Sequence, residues 1–103
     1  MVYRVVWTSK SREDLRDIHD YIAKDSRRYA QIQVERIQTS ALKTGRFPEI
    51  GRILPEFPKG AWRELLIGNY RVIYRPEPME SQILILAVVH GRQLLKESMI
   101  GPV

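Results

Sequence analysis

The stretch WRELLIGNYRVIYR, residues 62–75, sets Trp62, Glu64, Arg71 and Arg75 among leucines, isoleucines and tyrosines. Strand alternation across a hairpin brings these four to one sheet face. His90 and Arg92 follow the apolar run QILILAVV at the end of a neighbouring strand. This set of side chains is suited to phosphodiester cleavage in RNA. That reaction needs a base for the 2′-OH proton, cations for the charge that builds on phosphorus, and an acid for the leaving oxygen. Arginine supplies the cation and a bidentate phosphate fork without a metal. Histidine is the side chain whose proton moves near neutral pH, and tryptophan offers a plane for a base to stack on. Arg71, Arg92, His90 and Glu64 are therefore the candidate catalytic residues, with Trp62 and Arg75 as candidate RNA-binding residues. A purely structural reading uses the same residues. Trp62 opposite Arg75 makes a cation–π pair, Glu64 diagonal to Arg71 neutralises it, and His90 closes a strand.

Other chemistries find little support. The two histidines, His19 and His90, stand without cysteine and without HExxH spacing, so no metal site is expected. His19 lies beside an apolar helical stripe and reads as a surface or boundary residue. No GxxxxGK[ST] or GxGxxG motif occurs, so no nucleotide cofactor is expected, and nothing resembles a nucleophile elbow.

The chain of 103 residues is 44% hydrophobic, enough for one core, and reads as a single domain over 1–103. With no cysteine, a disulfide scaffold is excluded. The absence of an 18-residue apolar run and of a signal-peptide pattern in MVYRVVWTSK leads to the expectation of a soluble, cytoplasmic protein with no membrane partner. Seventeen Lys and Arg against twelve Asp and Glu give a formal charge of +5, which favours RNA, DNA or an acidic protein segment as partner.

The elements that must position the candidate residues are legible from pattern. YRVVW (3–7) is β-branched and aromatic, hence a strand. After Thr8-Ser9 as capping residues, Leu15, Ile18 and Ile22 form one helical stripe. Asp25-Ser26 breaks that helix and can cap a second. In the second, Ala30, Val34, Ile37 and Ala41 share a face, and Gly45 stands in the C-cap position. So short a break predicts an antiparallel helical hairpin. Residues 46–61, with three prolines and two glycines, read as a loop rather than an element.

Gly68-Asn69 then predicts a two-residue turn of type I′ or II′. This turn sets Ile67 against Tyr70, Leu66 against Arg71, Glu64 against Ile73 and Trp62 against Arg75. Arg63, Leu65, Ile67, Tyr70, Val72 and Tyr74 fall on the face that should meet the helices, with Arg63 structural and its head reaching out. Trp62, Glu64, Leu66, Arg71, Ile73 and Arg75 fall on the face expected to lie open. QILILAVVHG reads as an interior strand buried on both faces, and RQLLKES as a possible last helical turn. The fold expected is α+β in the order β-α-α-β-β-β, a helical hairpin on one face of a small, mostly antiparallel twisted sheet.

Taken together, the first strand ending in Trp7, the EDLRDIHDYI helix, the FPEIGR loop, WRELLIGNYRVIYR and the closing ILILAVVHGRQLL resemble the RelE/ParE superfamily of bacterial toxins. These are the toxin halves of type II toxin–antitoxin modules, and the resemblance covers nearly the whole chain. It implies an antitoxin that wraps the toxin in a hetero-oligomer. RelE-like members cleave mRNA on the ribosome without metal, whereas ParE-like members inhibit DNA gyrase. Arg71 matches the arginine that RelE-like enzymes set against the scissile phosphate, and Arg92 their second arginine. Trp62 and Glu64 stand where those enzymes carry lysines, and Ser98 where they carry a late tyrosine. Glu64, Arg71 and His90 also match the glutamate, arginine and histidine of YoeB-type nucleases. The HGRQLL ending is equally similar to that of ParE-like proteins. The resemblance thus implies an mRNA endonuclease, with a gyrase inhibitor, or a member that only binds its antitoxin, as the alternatives.

Overall fold

Thr8 is extended and accepts the N–H of Ser11 (3.2 Å), which starts α1 (Ser9–Ala23). Ser26 repeats the device for α2 (Arg27–Arg46), accepting from Tyr29 N–H at 3.1 Å. Both features belong to the computed structural model, which describes residues 2–93, 95 and 96. The remaining elements are β1 (Arg4–Trp7), β2 (Arg52–Ile53), β3 (Arg63–Ile67), β4 (Tyr70–Glu77), a short 3₁₀ turn (Pro78–Glu80) and β5 (Gln82–His90). The five strands form one sheet in the order β1-β5-β4-β3-β2. β1 runs parallel to β5, and every other pair is antiparallel. This is the expected α+β architecture, with β5 inside the sheet. The possible helical turn in RQLLKES falls partly outside the described residues, as does Ser98.

The hairpin register is the one the turn dictates, from Ile67↔Tyr70 to Arg63↔Tyr74. Gly68 has φ +58° while Asn69 does not enter the positive region, which is the type II′ pattern. Gly45 departs from expectation. α2 continues through it to Arg46, and Phe47 is the C-cap. Here α2 meets β1, with Tyr3 N–H donating to Gly45 O at 2.8 Å. A Cβ on Gly45 would stand 2.5 Å from the Tyr3 carbonyl oxygen, so close approach rather than capping calls for glycine.

One sheet face packs on the helices as expected. Ile67, Val72, Tyr74, Ile83, Ile85 and Val88 close over Leu15, Ile37 and Ala41. A bulge at Ile73/Tyr74 against β5 leaves Leu86 as the extra residue, pairing Ile73 with Ala87 but Tyr74 with Ile85. Beyond Ile85, β1 no longer covers the edge of β5, and Asp14 of α1 accepts the N–H of Val88 instead (3.0 Å).

The other face is not open. Ile73, Leu86, Ala87 and Val89 are buried there beneath Leu54 and Leu95, with Phe57, Trp62 and Leu84 packed alongside. The cover comes from the 46–61 segment and from the chain after β5. Residues 52 and 53 of that segment also form β2, paired with Glu64 and Arg63. The apolar Leu54 and Phe57, spaced by a proline, follow neither the helical nor the strand period, so local patterning could not show a second core. Tyr74 tethers the same loop from beneath, its hydroxyl donating to Pro48 O (2.8 Å) and accepting Gly51 N–H (2.9 Å). Arg63 is structural, as expected, though its head bonds Gly51 O (2.7 Å). No helix among the described residues is long and apolar enough to cross a membrane.

Candidate functional site

Arg71 lies on the covered face of β4 with its side chain only 6% exposed. The expectation that it points to an open face is corrected: it is a buried cation. Its Nε donates to Glu64 at 2.5 Å, and its two terminal nitrogens donate to the two oxygens of Glu56 at 2.8 and 2.7 Å. One of those nitrogens also donates to Gln93 O at 3.0 Å. Glu64 has a fully buried side chain and takes Arg52 Nε on its second oxygen. Glu56 in turn accepts the backbone N–H of Leu95 at 3.1 Å. The result is a chain of alternating charge, Arg52–Glu64–Arg71–Glu56, in which two cations meet two anions. Desolvation of each charge is offset by a partner and by charge-assisted hydrogen bonds. The Arg71 hydrogen bonds hold the Glu56 carboxyl down at about 2 against the partial desolvation that opposes them. Conversely, the Glu56 bond raises Arg71 above its ordinary range, with Glu64 adding to the effect.

His90 is not part of this cluster. Tyr70 and Arg71 are consecutive on β4 and so face opposite sides of the sheet. Tyr70 pairs with His90 across the ladder, and Arg71 with Val89. The His90 ring meets the Tyr70 ring edge-on, 5.8 Å between centroids, and its Nδ1 accepts Arg92 N–H (3.2 Å). Burial, followed by the nearby phenols of Tyr21 and Tyr29, pushes the Tyr70 hydroxyl upward. Arg92 lies exposed in the turn after β5. Of the four candidate catalytic residues, the fold joins Arg71 and Glu64 and sets His90 on the other side of the sheet.

The two candidate RNA-binding residues are not paired either. The β3–β4 ladder ends at Arg63↔Tyr74, so Trp62 does not oppose Arg75. Trp62 carbonyl accepts Leu54 N–H (3.1 Å), and its ring packs edge-on against Phe57 at 5.2 Å. Arg75 instead donates to Glu77 (2.5 Å). The Glu77 carboxyl is lowered by its bond from Gln82 first and by Arg75 second. Among the described residues no cluster of His, Cys, Asp and Glu could hold a metal ion.

Glu56 and Arg52 are the participants that sequence reading missed. A signal existed, since Glu56 is the lone carboxylate within LPEFP and is flanked by residues that seek burial. A carboxylate held there requires a cation, and Arg71 is a cation that a β-hairpin carries inward.

The helical hairpin on a five-stranded sheet, with its charge-balanced cluster buried on the far face, has counterparts among known proteins. Residues 5–95 match the family described as ParE toxin of type II toxin-antitoxin system, parDE. The chain belongs to that family. No curated protein sequence matches significantly.

Solved structures share the fold. One is the RelBE2 toxin–antitoxin complex from Mycobacterium tuberculosis, with TM-score 0.66 and 23% identity over 87% of this chain and 99% of the other. A second is the chromosomal ParDE system from P. aeruginosa, with TM-score 0.69 and 22% identity over 86% and 96%. A third is a doubly substituted E. coli toxin RelE in the free state, with TM-score 0.64 and 14% identity over 89% and 86%. Both branches of the superfamily therefore resemble this chain in fold.

Proposed function

We propose that this toxin acts by binding its target rather than by cutting RNA, with DNA gyrase as the target in the manner of ParE-like proteins. The observation that carries the reading is the pairing of Arg71. The arginine that matches the phosphate-holding residue of RelE-like nucleases spends four of its five N–H donors on Glu56, Glu64 and Gln93 O. A phosphate could reach it only by expelling a carboxylate that the guanidinium holds bidentately. The separation of His90 from Arg71 by the sheet supports the same reading, because general acid–base chemistry needs both within reach of one phosphate.

An antitoxin is the natural counterpart. β1 ends the sheet, so its outer edge pairs with no strand among the described residues. A groove along it is lined by Arg4, Arg12 and Arg16 and, among the described residues, by no carboxylate. An unpaired strand edge beside three cations suits an extended acidic segment, with main-chain bonds supplying affinity and charge supplying attraction.

The test is induction in cells lacking the antitoxin. DNA breaks and filamentation with intact mRNA are expected. Early arrest of translation with mRNA cut at codons would overturn the reading in favour of a ribosome-dependent endonuclease.

A further inference from the structure

The segment from Leu54 to Trp62 is a closed flap. Leu54 N–H bonds Trp62 O at 3.1 Å and joins its ends. Phe57 N–H to Leu54 O (3.1 Å) and Gly60 N–H to Phe57 O (3.0 Å) brace its turns. The flap covers one side of the second core and buries Leu54 completely. A different piece of chain, arriving from the end of β5, closes the same core with the buried Leu95. One carboxylate joins these two covers. Glu56 reaches from the flap to accept Leu95 N–H, 39 positions away, while the Arg71 beneath it also holds Gln93 O.

We propose that the Glu56–Arg71 pair is a clasp that makes the flap and the Gln93/Leu95 segment open as one unit, a gate over the second apolar face of the sheet. Short covers of this kind, each contributing few apolar side chains, close only marginally by themselves. The clasp penalises half-open states. Lifting the flap withdraws Glu56, which strips the Leu95 N–H of its acceptor and leaves the Arg71 fork buried without its anion. Glu64, fixed beneath the sheet cover with its own partner Arg52, keeps the Arg71 head in place and so keeps the penalty in force. Once both covers lift, Ile73, Leu86, Ala87 and Val89 become accessible together with the guanidinium. The inference does not depend on which target the toxin strikes.

Native-state amide exchange of the full chain under low denaturant tests it. The amides of Leu54, Phe57, Gly60 and Leu95 are expected to share one opening isotherm, lying below that of the β4–β5 ladder. Phe57→Ala loosens the flap by removing its contacts with Trp62 and the second core, and takes no hydrogen bond from Glu56 or Arg71. It should nonetheless speed exchange at Leu95 by tenfold or more. Separate isotherms in the unaltered chain, or an unchanged Leu95 rate in Phe57→Ala, would overturn the clasp. Should Phe57→Ala not fold, the isotherms of the unaltered chain decide alone.

Discussion

Arg71 is held on three sides, and that decides how its substitution should be interpreted. Arg71→Ala would leave the partly buried Glu56 without its cation and the buried Glu64 with Arg52 alone. The expected loss is about 3–5 kcal/mol of stability, measured by urea denaturation. A loss of toxicity in that variant would therefore reflect unfolding until its midpoint is known. His90→Ala is the cleaner probe. His90 is exposed and contributes a ring contact and one backbone bond, so under the binding mechanism the variant should fold and keep full toxicity. Loss of toxicity in a variant of unchanged stability would restore His90 to a catalytic role.

Glu56 makes a pH prediction with a definite sign. Its folded carboxyl lies at about 2, below the ordinary 4.5. Its contribution is therefore complete above pH 4.5 and lost as pH falls toward 2. Glu56→Gln should show a smaller stability difference between pH 5 and pH 2.5 than the unaltered chain. Allowing for the solvent that reaches this carboxylate, the reduction should be on the order of 1–2 kcal/mol. Equal differences in the two proteins would show that the pair contributes nothing to acid sensitivity.

Among the elements, α2 and the β3–β4 hairpin each hinge on one glycine, for different reasons. At Gly45 the constraint is space, since the Tyr3 carbonyl occupies the position of a Cβ. Gly45→Ala should force α2 away from β1 and cost roughly 1–3 kcal/mol, seen as a lower denaturation midpoint with an unchanged slope. At Gly68 the constraint is dihedral, because φ +58° is strained for any residue with a Cβ. Gly68→Ala should cost about 1–2 kcal/mol by the same measurement. The glycine of the hairpin was legible because a two-residue turn is a local motif. That of the helix was legible only as a glycine near a helix end, because its neighbour is 42 residues distant and belongs to another element.

Across the whole molecule the charge is distributed to favour association. The +5 formal excess includes Arg4, Arg12 and Arg16 along the β1 groove, while the cations within the second core are balanced by carboxylates. Arg12→Glu combined with Arg16→Glu should slow association with the antitoxin by roughly tenfold at low salt, with little effect on thermal stability. The difference should shrink as ionic strength rises. An association rate insensitive to both charge and salt would move the antitoxin away from this groove.

The order of elements apart from β2, both helix N-caps, the hairpin register from Ile67 to Arg63 and the sorting of its side chains onto two faces were determined by sequence alone. Each rests on interactions spanning a few residues, such as a cap, a turn or an alternation, and these leave a period in the chain. Whether the Arg71 face is covered had no such signature. It depends on Leu54, Glu56 and Leu95 meeting β4 and β5 from distant points, in segments that follow no period. Tertiary structure also separated His90 from Arg71, because strand pairing brings them to one corner of the sheet while pleating turns their side chains to opposite sides. Burial and partnership are properties of the assembled chain, so only the fold could show that Arg71 is a paired cation inside a second core.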